Sequence, residues 1–567
     1  MILLYPTLLL TLIPTYTSAV YTYPNPTYEF SDKVLYHDSF LPDIVKSCAQ
    51  RDHTTVSAQW IRLAYHDMAT YDADKKEGGL DASIVYELDR EQNKGVAMSH
   101  SVTDLVFFTS PATSLADTIA MGTVLAVASC GGPVIPFRAG RIDATQGGPE
   151  TVPEPQESLE AHEANFKRQG FSREEMIGLV ACGHSLGGVT RADFPDIVQD
   201  QSVEFQDFSE TKTNFDNRVI TDYLAGNTEN PLVVGPNSTT NSDLRIFSAD
   251  GNVTMQALSS VDTFASTCVT LYEKMLNSVP STVTLSDPIT PIEYKILNPR
   301  VYPSKDNDST LTFSVGLRML TQSNTRNVTL FWTDRRNSRT AESVVPCSQN
   351  SPCKKTFTRA RPTTSTALAS KLGKGNMVIY TFSVMLDPRA SISKFWFEVD
   401  ENGDGKNVTR VANGGDDGVS GKGGDGYEVD QDVVLFDPSR SSLSFGGSSR
   451  RREIPLNRRG GGVGGPAPTL TYHVVVAASA RGSNMTSNIT AVTYEPGNGN
   501  GPETHLPKIK TTTLQPDDST YPPKAGYRFY SGVVEYGNAS LTHIDIMGER
   551  CGKTWKQTFI DAQDLST

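Results

Sequence analysis

Between residues 50 and 285 apolar residues recur at helical spacing, and after about residue 286 they recur at every second position in short runs. The pattern divides the chain into a helical half and a strand-rich half. In 172–188, Ser172 followed three residues later by Glu175 forms a capping-box pattern, Met176, Ile177, Leu179 and Val180 supply an apolar face, and Gly187-Gly188 ends the run. This predicts a helix with His184 near its C-terminal end. In 55–68, Val56, Trp60 and Leu63 share one stripe, whereas Arg62 and His66, four apart, project to a common side and can act on one object. Trp60 is read as core.

Beyond 286 the alternations Leu311, Phe313, Val315, Leu317; Val328, Leu330, Trp332; Phe395, Phe397, Val399; and Tyr472, Val474, Val476 predict strands of a sandwich. Glycine-rich loops are expected at 413–426 and 443–465, the second holding Arg450-Arg451-Arg452 and Arg458-Arg459. The run Asp400-Glu401-Asn402-Gly403-Asp404-Gly405 begins like a calcium loop but has Val411 where a bidentate Glu belongs, so it is read as a turn. His473, His505 and His543 show no ligand spacing and are read as structural.

A chain of 567 residues suits two large domains, here 20–285 and a β-rich accessory region 286–567. Charge sharpens the division. Residues 20–285 carry 18 Lys and Arg against 36 Asp and Glu, while residues 286–567 carry 33 against 28, which excludes nucleic acid as a partner of the N-terminal half. Residues 1–19 combine a short apolar run, broken by Pro6 and Pro14, with Thr17-Ser18-Ala19, and are read as a secretory signal rather than a membrane span. The polar C-terminal tail argues against a lipid anchor. Eight Asn-x-Ser/Thr sequons, at Asn237, Asn252, Asn307, Asn327, Asn407, Asn484, Asn488 and Asn538, agree with a secreted glycoprotein. Seven cysteines are an odd number for an oxidising compartment, and Cys182, in an apolar segment, is the expected free thiol.

Tyr-His-Asp occurs twice, at Tyr36-His37-Asp38 with Lys33 four residues before the histidine, and at Tyr65-His66-Asp67 with Arg62 in that place. Only the second is followed by a larger constellation. Its members are Gly79-Leu80-Asp81-Ala82-Ser83, Glu87, Asn93, Ser114-Leu115-Ala116-Asp117, Gly140-Arg141-Ile142-Asp143, Val152-Pro153-Glu154-Pro155 and Gly183-His184-Ser185. Phe208-Ser209-Glu210-Thr211, Asn214-Phe215-Asp216-Asn217 and Asn241-Ser242-Asp243 complete it. In that order and near that spacing the set resembles the plant-type haem peroxidase superfamily, closest to its secreted fungal class, over roughly residues 30–285.

The resemblance implies a mainly α haem-peroxidase domain followed by an all-β, sandwich-like domain, and one haem b per chain. His184 is then the axial ligand of the haem iron, with Asp243 accepting a hydrogen bond from its other ring nitrogen. On the opposite face His66 acts as base and then acid toward hydrogen peroxide, and Arg62 stabilises the charge that develops as the O–O bond breaks. Asn93, positioned by Glu87, holds His66 in the basic tautomer. Phe208 and Tyr65 occupy the proximal and distal aromatic positions beside the cofactor. Asp67, Asp81, Ser83 and the Gly79 carbonyl form the implied distal calcium site. A proximal cation would use Ser185, Ser209, Thr211, the Asn214 carbonyl and Asp216; with Ser at 209 one carboxylate remains, which suits a monovalent ion or weakly held calcium.

The resemblance also pairs Cys48 with Cys130, gives Cys268 a partner nearer the C-terminus with Cys551 as the candidate, and leaves Cys347 and Cys353 to close a local loop. The family's manganese site needs three carboxylates, but the positions near Thr54, Ala58 and Thr190 supply none, and its surface tryptophan falls at Leu179. The implied activity is reduction of hydrogen peroxide with oxidation of small phenolic-type donors at the haem edge. The competing reading is a cell-wall or matrix-binding protein in which the β region contacts polysaccharide and the haem domain is vestigial.

Overall fold

The computed structural model describes residues 22–37, 40–335, 353–357, 361–362, 365–413, 425–429, 433–445, 469–480, 488–495, 508–537, 543–550 and 553–561. Helices occupy Pro26–Tyr36 through Val261–Leu276, and antiparallel strands follow from Tyr294–Pro303 onward. The helical part is built around Leu115–Ser129, whose residues are apolar or small at nearly every position and are therefore buried on all sides. The helix Val56–Met68 lies across it. Gly122 admits that crossing, because a Cβ there would stand 2.8 Å from Leu105 Cδ2 and 3.2 Å from the Trp60 ring. Trp60 is fully buried as core, and its indole N–H donates to Asp104 at 2.9 Å. Its helix starts where the Thr55 hydroxyl accepts the Ala58 N–H at 3.1 Å. The capping box at Ser172 and Glu175 forms as read, with the reciprocal bonds at 3.2 and 2.8 Å, and starts the helix Arg173–Gly183.

In the β region, period-two burial builds two joined cores. Strand Val378–Leu386 turns Val378, Tyr380, Phe382, Val384 and Leu386 inward and pairs with Leu311–Met319, which also pairs with Tyr294–Pro303. The opposing sheet pairs Asn327–Thr333 with Lys394–Asp400. Phe313, Leu317, Leu330 and Phe397 from the two layers share a core, so the arrangement is a sandwich. Strand Thr469–Ser479 contributes Val475 and Ala477 to that core and Val474, Val476 and Ala478 to the second, formed with Asn488–Glu495, Tyr527–Gly537 and His543–Arg550. That strand thus joins both, as do Val434–Phe436 and Tyr527–Gly537. Asp400 ends its strand in a turn, accepting the N–H groups of Gly403 at 2.9 Å and Gly405 at 2.7 Å. Among the described residues no helix is long and apolar enough to cross a membrane.

The two halves share a buried seam. Asp32, on the helix Pro26–Tyr36, accepts hydrogen bonds from Lys295 Nζ at 2.6 Å and from Arg318 Nη1 at 2.5 Å and Nη2 at 3.0 Å, all three side chains being almost wholly buried. Tyr36 donates its hydroxyl to the Ile289 carbonyl at 2.6 Å, and Thr366 donates to the Leu35 carbonyl at 2.5 Å. Ile289, Leu368, Ala369 and Met377, all beyond residue 286, pack into the core of the helical part. Tyr36 and His37 of the first Tyr-His-Asp triplet therefore lie at this seam, His37 bridging to Ser365, while Asp38 lies outside the described residues.

Three sequence readings are corrected here. Cys182 is not free: it pairs with Cys268, and Cys48 pairs with Cys130. The apolar setting that suggested a buried thiol suits a disulfide sulfur equally, and the adjacent helix Val261–Leu276 brings Cys268 to it, so Cys268 does not reach Cys551. Residues 443–445 are not loop, because Leu443 and Phe445 alternate with serines and pair with Tyr472 and Leu470. Asn413 is likewise tied down, accepting the Tyr23 N–H at 3.0 Å and donating to the Tyr23 carbonyl at 2.6 Å. Residues 414–424 and 446–468, with both arginine clusters, lie outside the described residues, as do the signal segment, Cys347, Cys551 and His505; Cys353 begins a strand whose side chains are not described.

Burial alone would push the Asp32 carboxyl up, but Arg318 and Lys295 together outweigh it and hold it down at about 2. Asp32→Ala leaves the buried Arg318 without a carboxylate and Lys295 with Glu29 alone, at 3.2 Å, so it is expected to cost about 3–5 kcal/mol, read as a lower urea midpoint. Because the folded-state value is depressed, the carboxylate's contribution is complete above roughly pH 4 and is lost as pH falls toward about 2. The unsubstituted protein should lose stability across that window and Asp32→Ala should lack that component; equal profiles would remove the seam's assigned role. Non-reducing peptide mapping should recover Cys48–Cys130 and Cys182–Cys268, and a free Cys182 would contradict the fold.

Candidate functional site

His66 and His184 line one cavity of about 660 Å³ inside the helical part. His66 faces it from the helix Val56–Met68, one turn after Arg62. Its Nδ1 meets Asn93 Oδ1 at 2.7 Å, and Asn93 Nδ2 donates to the Glu87 backbone carbonyl at 2.9 Å. The second bond orients the amide, since only its nitrogen can donate to a carbonyl. Asn93 therefore presents an acceptor, His66 carries its proton on Nδ1, and the Nε2 lone pair is left for the cavity. Burial, reinforced by the Arg62 charge and opposed by Asn93, pushes the His66 imidazole down to about 3, so it is neutral at ordinary pH.

Glu87 acts on Asn93 through its backbone, not its side chain. Its carboxylate accepts the Gly148 N–H at 2.7 Å and pairs with Arg90 at 3.0 Å, which anchors the turn that carries the carbonyl. Arg62 donates to the Lys94 carbonyl at 3.1 Å, and its guanidinium lies 5.8 Å from the Phe194 ring centre. Burial lowers it to about 10, opposed by Asp193, which leaves it cationic. Tyr65 stacks on Phe166 at 5.9 Å and meets the His66 ring edge-on at 6.2 Å; its hydroxyl is buried without a hydrogen-bond partner.

His184, which lines the same cavity, caps the helix Arg173–Gly183, its N–H donating to the Val180 carbonyl at 2.8 Å. Its Nδ1 donates to Asp243 Oδ2 at 2.8 Å, which leaves Nε2 with a free lone pair. Gly187, at φ +94°, turns the chain into a ribbon pairing Gly188–Thr190 with Phe205–Asp207. That ribbon delivers Phe208, whose ring stacks on His184 at 4.1 Å and 20°. Asp243 also accepts a hydrogen bond from Asn230 Nδ2 at 2.8 Å. Asn230 escaped the sequence reading, because Asn230-Pro231 signals only a helix start. Leu179, the position compared with the family's surface tryptophan, is buried against the cavity, in keeping with the apolar face read for its helix. Thr54, Ala58 and Thr190 line the cavity together with Glu91, Glu154, Asp193 and Asp196.

The distal cation residues come together. Asp67 accepts the N–H groups of Ala82 at 2.8 Å and Ile84 at 2.9 Å, Asp81 accepts the Ser83 N–H at 3.2 Å, and the Asp81 N–H donates to the Gly79 carbonyl at 2.9 Å. Burial first, then the neighbouring Asp81, pushes the Asp67 carboxyl well up, and burial raises Asp81. The Ser83 hydroxyl is buried with no partner. At the proximal set, the Thr211 hydroxyl donates to Asp216 at 3.0 Å, whereas Ser185 is committed to the Cys182 carbonyl at 2.8 Å; Ser209 is buried and Asn214 exposed. Among the described residues no group of three or more His, Cys, Asp or Glu is placed to hold a metal ion; the distal set has two carboxylates completed by hydroxyl and carbonyl oxygens.

Residues 41–266 match the family model described as peroxidase. A WSC domain-containing protein of Arthroderma benhamiae is 42% identical over 274 residues, covering 47% of this chain and 38% of that protein. L-ascorbate peroxidase 5, peroxisomal, of Arabidopsis thaliana is 38% identical over 138 residues, covering 24% of this chain and 49% of that protein. Cytochrome c peroxidase, mitochondrial, of Yarrowia lipolytica is 33% identical over 137 residues, covering 22% and 39%. The chain thus spans less than half the length of each of these relatives.

Proposed function

We propose that this chain, whose residues 41–266 form a peroxidase domain of the plant-type haem superfamily, is a secreted enzyme that reduces hydrogen peroxide and oxidises small phenolic donors. The observation that carries this reading is a pair of imidazoles lining one cavity, each with Nδ1 tied to a buried acceptor and Nε2 left free. The donor set fits haem. His184 offers one neutral nitrogen, and Ile61, Leu186, Phe208, Leu232 and Ile246 supply apolar wall for a macrocycle. The apolar N-terminal run and the eight sequons support secretion.

Haem held by His184 would supply the redox chemistry of peroxide reduction and donor oxidation. The protein's own part is proton transfer and charge stabilisation. His66 Nε2 takes the proton of the bound peroxide and returns it to the departing oxygen as water leaves; its low basicity keeps it in the accepting form at the start. Arg62, cationic and one helical turn away, stabilises the negative charge on the departing oxygen. Asn93 fixes the tautomer, and the Glu87 carbonyl fixes Asn93.

Calcium at Asp67, Asp81, Ser83 and the Gly79 carbonyl belongs to the same proposal. Two buried carboxylates pushed upward and an unpartnered hydroxyl are the hard-oxygen set that a divalent cation satisfies. For the proximal set a monovalent ion or weakly held calcium is the proposal, on Thr211 and Asp216.

His66→Ala is expected to slow the reaction with one equivalent of hydrogen peroxide by about 10²–10⁴-fold in stopped-flow absorption, with haem still bound. A rate within about threefold of the parent would refute the role given to His66. Chelation of calcium with EGTA should lower the thermal midpoint by several degrees, about 2–3 kcal/mol of lost linkage, with recovery on adding calcium but not magnesium. An unchanged midpoint would remove the distal site.

A further inference from the structure

Asp243 is fully buried, and its Oδ2 accepts two hydrogen bonds of equal length, from His184 Nδ1 at 2.8 Å and from Asn230 Nδ2 at 2.8 Å. Its other oxygen, Oδ1, meets no hydrogen-bond partner. Both donors therefore compete for one atom. The orientation of Asn230 is set at its far end, where Oδ1 accepts the Leu232 N–H at 2.8 Å as the N-cap of the short helix Pro231–Val234. Only the amide oxygen can accept that bond, so the nitrogen, which can only donate, faces Asp243. Asn230 is itself fully buried, and its own N–H donates to Thr228 Oγ1 at 3.2 Å, so the amide has no route to water. Phe208, stacked on His184, fixes the plane of the imidazole.

A carboxylate oxygen that already receives one strong donor accepts a second less strongly, and low-dielectric surroundings enlarge that difference. We infer that Asn230 is a positioning residue that limits the pull of Asp243 on the His184 proton, and so sets how much negative charge His184 passes to the iron it would ligate. Without Asn230, His184 gains imidazolate character and oxidised iron is favoured. The inference rests on the haem reading above and deepens it, because it concerns the redox poise of the same site.

Asn230→Ser separates the two jobs of this side chain. Serine caps a helix about as well as asparagine but has no amide nitrogen to reach Asp243. In the full-length haem-loaded protein, Asn230→Ser should shift the ferric/ferrous equilibrium toward ferric by about tenfold, ~59 mV more negative for a one-electron couple. The iron–histidine stretch of the ferrous protein should rise in frequency by resonance Raman, with the thermal midpoint near that of the parent. Asn230→Ala should show the same shift and stretch with a lower midpoint, since the cap is lost too. If Asn230→Ser leaves potential and stretch unchanged while the parent shows a normal iron–histidine stretch, this inference is overturned and haem ligation by His184 stands. If the parent itself has no iron–histidine stretch, the underlying reading falls and the inference with it.

Discussion

An imidazole has two nitrogens, and binding one of them decides what the other can do. That constraint organises the whole site. His66 donates a hydrogen bond from Nδ1 to Asn93 and His184 donates one from Nδ1 to Asp243, so two Nε2 lone pairs are left at the walls of one cavity. The acceptors differ in charge, and so do the consequences. Burial and Arg62 leave His66 weakly basic, and a neutral amide offsets them only in part, which suits it to taking a proton briefly. A carboxylate makes His184 a stronger electron donor, suited to a metal ion.

Both acceptors, Asn93 and Asp243, are buried, and the surrounding fold holds them in place. The central helix Leu115–Ser129 buries nearly every residue, and Trp60 crosses it at Gly122 to hold the His66 helix. The disulfide Cys182–Cys268 ties the His184 helix to Val261–Leu276, where the Tyr272 hydroxyl also donates to the Cys182 carbonyl at 3.0 Å. The β region extends this frame through Asp32 and its two cations and through Leu368 and Ala369 in the helical core. An acidic half and a mildly basic half thus meet where Asp32 and Glu29 answer Lys295 and Arg318, and an uncompensated charge would be costly.

Much of the local structure was legible along the chain. The capping box at Ser172 and Glu175, the Arg62 and His66 pairing, and the alternation in Val328–Trp332 and Phe395–Val399 each depend on residues a few positions apart, and the backbone adopts them. Misreadings arose where one local environment admits two outcomes. An apolar segment buries a thiol or a disulfide alike, which left Cys182 open, and serines flanking Leu443 and Phe445 read as loop until a pairing strand supplies the second side.

The sequence by itself determined the order of the chemistry and the elements that carry it, because helix periodicity, caps and strand alternation are short-range properties. Tertiary structure alone decided which distant groups meet. Asn93 reaches His66 across 27 positions, Asp243 reaches His184 across 59, and Arg318 reaches Asp32 across 286. Asn230, 13 positions before Asp243, was invisible for the same reason: its hydrogen bond is chosen by packing that leaves one buried carboxylate oxygen within reach of one oriented amide. Spacing along the chain carries no record of that choice, since burial, which makes the bond matter, is a property of the assembled core.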